Sequence, residues 1–206
     1  LHVGWKFFLI QISMVLFLQM TNIMVITWSS PENVTLLNIA EKYFGLISVV
    51  GTVILFPFWS KFTEADAKNN HVWIFETIKM IEVYMLIGSL ICLLSWLIFP
   101  FVVSVWVGEK TTVPNSYSFL ILSKYFLILL NSLYCYYLNG IGKLKLQLSL
   151  YIIFSILNWP ICYLLNSYFG LVGVISYVPL AMLSMILIQR HYVFKIINGK
   201  MEQYEN

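Results

Sequence analysis

The longest stretch of sequence without a charged residue decides the class of fold. It runs from Leu146 to Gln189 and reads LQLSLYIIFSILNWPICYLLNSYFGLVGVISYVPLAMLSMILIQ. As a single helix these residues would extend about 66 Å, whereas the hydrocarbon core of a bilayer is about 30 Å thick. The stretch must therefore fold back once. Asn166–Gly170, which reads NSYFG, is the polar and glycine-containing segment near its middle.

The composition of the whole chain excludes a water-soluble domain. Of its 206 residues, 60% are apolar and only 10% are charged, whereas soluble domains carry about 25% charged residues. The net charge of +3 is small and scattered along the chain, so nucleic acid is not an expected partner. The three cysteines lie in apolar runs without paired spacing, and we expect neither a disulfide framework nor a metal or other cofactor. The chain is predicted to be a polytopic membrane protein.

Four shorter runs without Asp, Glu, Lys or Arg mark further membrane spans, at Phe7–Pro31, Tyr43–Ser60, Val83–Gly108 and Tyr125–Gly142. Together with the two halves of the long stretch they predict six transmembrane helices and an all-α integral membrane fold. The expected helices lie near Trp5–Trp28, Asn33–Trp59, Met80–Val103, Tyr117–Leu138, Leu146–Leu165 and Leu171–Val193. Residues 1–194 would then form one transmembrane unit, and residues 195–206 a cytoplasmic tail.

The basic residues predict the orientation of these spans. Six spans place both termini on the same side, and nine of the 12 Lys and Arg residues fall on that side. An excess of Lys and Arg is typical of cytoplasmic loops, so we expect both ends to be cytoplasmic. The chain begins with Leu1 instead of Met, and we expect Leu1 to lie inside a longer chain.

Charged residues within the predicted spans are the first candidates for a functional site, because each costs at least ~2.5–3.5 kcal/mol at a helix centre. Glu41, Lys42 and Lys124 are such residues. Glu41 and Lys42 point about 100° apart on a helix and cannot pair with each other. We expect at least one of them to face a watery cavity or a partner on another helix, although a lysine this close to the surface can also extend to the headgroups.

Two lysines that enter a cavity would suit an anionic passenger such as a phosphate or pyrophosphate. Polar amides within the spans can bind a polar substrate or join helices by hydrogen bonds; they are Gln11, Gln19, Asn22, Asn131, Asn139 and Asn158. We expect most of them to join helices, and we select Asn22 and Asn131 as substrate contacts because they lie well inside their spans. Glu76, Lys79 and Glu82 share one helix face and are expected to support one another.

The sequence lacks the motifs of a membrane-embedded enzyme. It contains no HExxH motif, no Ser/His/Asp set and no glycine-rich phosphate loop. The outer loops, such as Gly108–Asn115, are too short to carry a catalytic constellation. We therefore expect transport and not catalysis.

Four segments resemble bacterial polysaccharide repeat-unit flippases, the Wzx-type O-antigen and capsule exporters of the MATE-like superfamily. Phe56–Ala67 (FPFWSKFTEADA), followed by His71–Ile74 (HVWI), resembles the cytoplasmic loop after their eighth span. The other three are Asn139–Gln147 (NGIGKLKLQ), similar to their loop between spans ten and eleven, Asn38–Phe44 (NIAEKYF), similar to the start of span eight, and Phe169–Val174 (FGLVGV), similar to the turn into span twelve. The resemblance covers nearly the whole chain.

The resemblance implies that the chain is the carboxy-terminal six-helix lobe of a twelve-helix transporter in the bacterial inner membrane. Such flippases move undecaprenyl-pyrophosphate-linked oligosaccharides to the outer leaflet by alternating access between two lobes. Lys42 and Lys124 would line the outer half of the cavity, and an amino-terminal lobe would be the partner. Two alternatives remain open. A cation-coupled multidrug extruder of the same superfamily usually has several buried acidic groups, and the single deep carboxylate Glu41 favours the flippase over it. A membrane-embedded glycan polymerase or acyltransferase is disfavoured by the short outer loops and the lack of clustered His, Arg or Asp.

Overall fold

The computed structural model describes residues 2–205, and this part of the chain is helical apart from short connections. The five helices are α1 His2–Trp28, α2 Pro31–Ala67, α3 His71–Trp106, α4 Asn115–Gly140 and α5 Lys145–Glu205. All five are long and apolar enough to cross a membrane. The structure therefore agrees with the prediction of a multi-pass helical membrane protein.

Helix α5 is folded back on itself at Gly170, where φ is 56° and ψ is −144°. Residues with a Cβ rarely adopt this conformation. The Tyr177 hydroxyl donates a hydrogen bond of 2.6 Å to the Phe154 carbonyl, although a straight helix would hold these residues about 35 Å apart. Residues 145–169 thus form a first arm of α5 and residues 171–205 a second arm. The arms correspond to the predicted helices Leu146–Leu165 and Leu171–Val193. The turn expected over Asn166–Gly170 is shorter in the structure, where helix continues to residue 169 and Gly170 has the non-helical conformation.

Helices α2 and α3 extend beyond the predicted spans Asn33–Trp59 and Met80–Val103. They continue through the segment between those spans and meet at a short turn, in which Asn69 has a φ of 56° and the Asn70 side chain accepts a hydrogen bond from the Trp73 amide. Phe62 and Ile74 are fully buried in these extensions. A charge-free run marks a membrane crossing, but it does not mark the end of a helix, which buried contacts can prolong into the aqueous phase.

The second arm of α5 also continues past the predicted span end at Val193. It remains helical through Glu205. Residues 195–205, most of the predicted tail 195–206, therefore extend α5. Ile197 is fully buried there, and Lys200 Nζ lies 2.5 Å from Asp66 Oδ1. Apolar packing and this ion pair hold the extension against the turn between α2 and α3.

The end of the bundle that contains the turn between α2 and α3 is called the basic end below. The start of α1 also lies there, since the rings of Phe7 and Trp59 are 5.8 Å apart. Helix α2 packs mainly on α4 and α1 mainly on α5, whereas α1 and α2 hardly touch. A cleft is therefore left between α1 and α2, with α4 and the second arm of α5 behind it.

Candidate functional site

A polar pocket of about 230 Å³ lies in the cleft between α1 and α2. Its apolar lining includes Ile121 from α4 and Ile175 and Val178 from the second arm of α5. The polar side chains in its wall are Gln19, Thr21, Asn22, Asn38, Glu41 and Lys124. Three of the five residues selected from the sequence, Asn22, Glu41 and Lys124, are thus brought to one place.

An ion pair between α2 and α4 forms the charged part of the pocket. Lys124 Nζ lies 2.5 Å from Glu41 Oε1, and the Tyr125 hydroxyl donates a hydrogen bond of 2.7 Å to Glu41 Oε2. Lys124 is only 7% exposed. Glu41 follows the start of α2 by ten residues, which places it about 15 Å along the helix.

The ion pair balances the charges of the pocket, because one carboxylate faces one ammonium. Both oxygens of Glu41 accept a hydrogen bond, whereas the ammonium of Lys124 has three donors and uses one of them on Glu41. Two donors of Lys124 therefore remain for an anion that enters the pocket, although the negative charge of Glu41 opposes the entry of that anion. The sequence predicted that at least one of Glu41 and Lys42 would face a cavity or a partner on another helix, and Glu41 has such a partner in Lys124.

Lys42 does not line this pocket. It is exposed, and Asn38 is exposed one helical turn earlier. Residues four apart share a face of a helix, so these two side chains form a polar strip on α2 beside the pocket. Across the cleft, Gln19 of α1 is exposed as well.

Asn22 contributes an amide to the pocket wall. It is half-buried, and its Nδ2 donates a hydrogen bond of 3.1 Å to Gln19 Oε1. Because this is its only contact of that kind among the described residues, part of its hydrogen-bonding capacity remains available to a ligand.

Asn131 lies outside the pocket and joins helices instead. It is 2% exposed; its Nδ2 donates to the Tyr151 hydroxyl at 3.1 Å, and its Oδ1 accepts from Gln189 Nε2 at 2.9 Å. Asn131 thereby connects α4 to both arms of α5. Asn158 has the same kind of role between α5 and α1, since its Nδ2 donates to the Phe17 carbonyl at 3.0 Å.

Sequence reasoning missed the contributions of Tyr125 and Asn38 to this site. Helical spacing could have indicated Asn38, because it lies three and four residues before Glu41 and Lys42. Nothing in the sequence pairs Tyr125 or Lys124 with Glu41, since that contact depends on the packing of α2 against α4. Within residues 2–205, no group of three His, Cys, Asp or Glu side chains is close enough to hold a metal ion.

Comparisons of the chain with known protein families, with curated proteins and with solved structures found no match.

Proposed function

We propose that this chain is one lobe of a flippase that moves undecaprenyl-pyrophosphate-linked oligosaccharides across the bacterial inner membrane for O-antigen or capsule synthesis. The observation that carries the proposal is the polar cleft between α1 and α2. Gln19 and Asn38 are exposed and line this cleft, and Lys42 is exposed one turn after Asn38 on α2. Polar side chains that face lipid at such positions would be unfavourable. Such a surface suits a wall of an aqueous cavity that a second lobe completes.

The proposed lobe has six membrane spans. The two arms of α5 would cross the bilayer separately, with Gly170 at the outer side, and both ends of the lobe would lie in the cytoplasm. The nine Lys and Arg residues assigned to this side support that orientation through the positive-inside rule.

The size of the pocket supports a role as part of a larger site. Pockets for drug-sized ligands have volumes of about 300–1,000 Å³, and the pocket measures about 230 Å³. A lipid-linked oligosaccharide needs more room than this. The amino-terminal lobe expected as a partner would provide the opposite wall.

The polar side chains have distinct proposed roles. Lys42, which is exposed, would attract the pyrophosphate first, and Lys124 would reach the anion by exchanging Glu41 for it. Asn22 would donate hydrogen bonds to the sugar. Asn131 would act by positioning α4 and α5, since its polar atoms are engaged within the protein.

A cation-coupled extruder of the same superfamily is the second candidate, and the Glu41–Lys124 pair favours it. A proton or metal cation that binds Glu41 would displace Lys124 and could couple ion entry to movement of α2 against α4. Both candidate functions are forms of transport, and we propose neither as an enzyme.

The test is a complementation assay with the intact protein in cells that lack it. Lys42→Ala should lower surface polysaccharide and raise cytoplasm-facing lipid-linked oligosaccharide, with normal amounts of protein in the membrane. Lys124→Ala should lower surface polysaccharide as well, and the Glu41→Gln/Lys124→Ala variant, which leaves no unpaired carboxylate, should keep that loss while it restores the amount of protein. Lys110→Ala, in the loop between α3 and α4, is the matched control and should behave as wild type. Normal surface glycan in the Lys42/Lys124 double variant would contradict the proposed roles. Loss of drug export with normal glycan would favour the extruder.

A further inference from the structure

A second polar recess lies at the basic end, between α3 and the second arm of α5. Its volume is about 370 Å³, within the range of small-ligand pockets. It is lined by Phe75 and Lys79 from α3 and by Leu187, Arg190, His191, Phe194 and Asn198 from α5. None of these residues lines the pocket between α1 and α2.

The charge of Lys79 is not balanced by a carboxylate. Its Nζ lies 5.0 Å from the ring centroid of Phe75 and 5.8 Å from that of Phe194, and the faces of aromatic rings attract a cation without neutralising it. The expected support from Glu82 along α3 is not formed, because Glu82 pairs with Arg190. Among the side chains that the structure describes, no carboxylate forms an ion pair with Lys79.

Arg190 supplies further donors to the recess. Its Nε and Nη2 donate to the two oxygens of Glu82, each at 3.0 Å, and its Cζ lies 4.8 Å from the Phe194 ring centroid. A guanidinium has five donors, so three remain beyond those used on Glu82. The side chain of Arg190 is 46% exposed, and Tyr134 is a further neighbour of its guanidinium, so part of this donor set is open to the recess.

The recess lies where the apolar surface of the bundle ends. Glu82 directly precedes the charge-free run Val83–Gly108, and Arg190 directly follows the charge-free run Leu146–Gln189. Leu187 is exposed in the wall of the recess, and Leu183 is exposed one turn before it on α5. Cationic side chains next to an exposed apolar surface thus stand at the depth of lipid headgroups.

We propose that this recess binds the phosphodiester of an anionic phospholipid of the adjacent leaflet. Lys79 and the unused donors of Arg190 would hold the phosphate oxygens, and the acyl chains would lie along Leu183 and Leu187. Basic pockets between transmembrane helices bind anionic headgroups for this electrostatic reason. The site is separate from the proposed substrate path and does not depend on which molecule is transported.

The test measures lipid binding to the intact purified protein by native mass spectrometry, with phosphatidylglycerol and phosphatidylcholine as probes. Wild type should prefer phosphatidylglycerol, and Lys79→Gln should weaken its binding about fivefold, as expected for the loss of one lysine near an anionic headgroup. Lys61→Gln is the matched control, because Lys61 also stands over a ring, 5.5 Å from the Phe58 centroid, but lies outside the recess. It should bind as wild type.

A second variant separates a binding effect from a folding defect. Lys79→Arg keeps the charge and should keep the preference for phosphatidylglycerol, even if Lys79→Gln is poorly folded. Equal binding of the two lipids by wild type, equal losses in Lys79→Gln and Lys61→Gln, or loss of the preference in a folded Lys79→Arg would each overturn the proposal. Displacement of the lipid by millimolar inorganic phosphate would overturn it in favour of a free-phosphate site.

Discussion

Glu41 and Lys124 are 83 residues apart in the chain, and their side chains form an ion pair in the interior of the helical bundle. The contact joins α2 to α4 at the edge of a cleft that brings polar side chains of α1 and α2 together. Its position makes the pair both a structural contact and the charged element of the candidate site, and the two roles can be separated by experiment.

Removal of one partner of this pair should destabilise the protein more than removal of both. Lys124→Met leaves the Glu41 carboxylate without its cation, and breaking a buried pair in this way costs about 3–5 kcal/mol. The Glu41→Gln/Lys124→Met double variant should recover most of that loss. The free energy of unfolding in mixed micelles measures both effects, with Lys42→Met as an exposed control that should change it by less than about 0.5 kcal/mol. If the losses of stability in Glu41→Gln and Lys124→Met summed to the loss in the double variant, the result would contradict the pairing.

The two asparagines selected from the sequence should separate in their effects. Asn131→Leu leaves Gln189 and the Tyr151 hydroxyl without their buried partner, which should lower stability by about 1–3 kcal/mol. Asn22→Leu removes only the contact with Gln19 and should lower stability by less than about 0.5 kcal/mol while it reduces transport. Thermal unfolding and the complementation assay together measure the difference. Equal loss of stability in both variants would count against the separate roles.

Gly170 should be intolerant of any side chain although open space surrounds it. No atom lies within 4 Å of a Cβ built there, so the effect of Gly170→Ala comes from its backbone conformation alone. We expect a loss of about 1–3 kcal/mol. Gly88→Ala in α3 is the control, because its Cβ also meets nothing within 4 Å. It should stabilise the helix by about 0.5–1 kcal/mol. Equal shifts of the two melting temperatures would argue against a strained reversal.

If both arms of α5 cross the membrane, the reversal at Gly170 and the basic end of the bundle lie on opposite sides of it. Ser167→Cys, beside the reversal at Gly170, should react with a membrane-impermeant thiol reagent added outside intact cells. Glu64→Cys, at the basic end, should react only after the cells are permeabilised. The wild-type protein provides the blank, since Cys135 and Cys162 are buried and Cys92 is half-buried. Labelling of both positions from the same side would exclude two separate crossings.

The sequence alone predicted the helical membrane class, the approximate positions of α1 to α4 and the reversal near Gly170. These predictions succeed because the free energy of transfer into lipid is set by the composition of each segment, and a helix of known rise must turn once it exceeds the bilayer. The sequence also identified Glu41 and Lys124 as residues of interest, since a charge within a span is unfavourable wherever it points.

Only the tertiary structure decided which of these residues meet. The packing of α2 on α4 pairs Glu41 with Lys124 and leaves Lys42 exposed, although Glu41 and Lys42 are neighbours in sequence. The same packing engages Asn131 between helices and leaves Asn22 at a pocket, and it extends α2, α3 and α5 beyond their charge-free runs. Transfer free energies depend on one segment at a time, whereas a contact depends on the rotation of two helices about their axes, which composition does not specify.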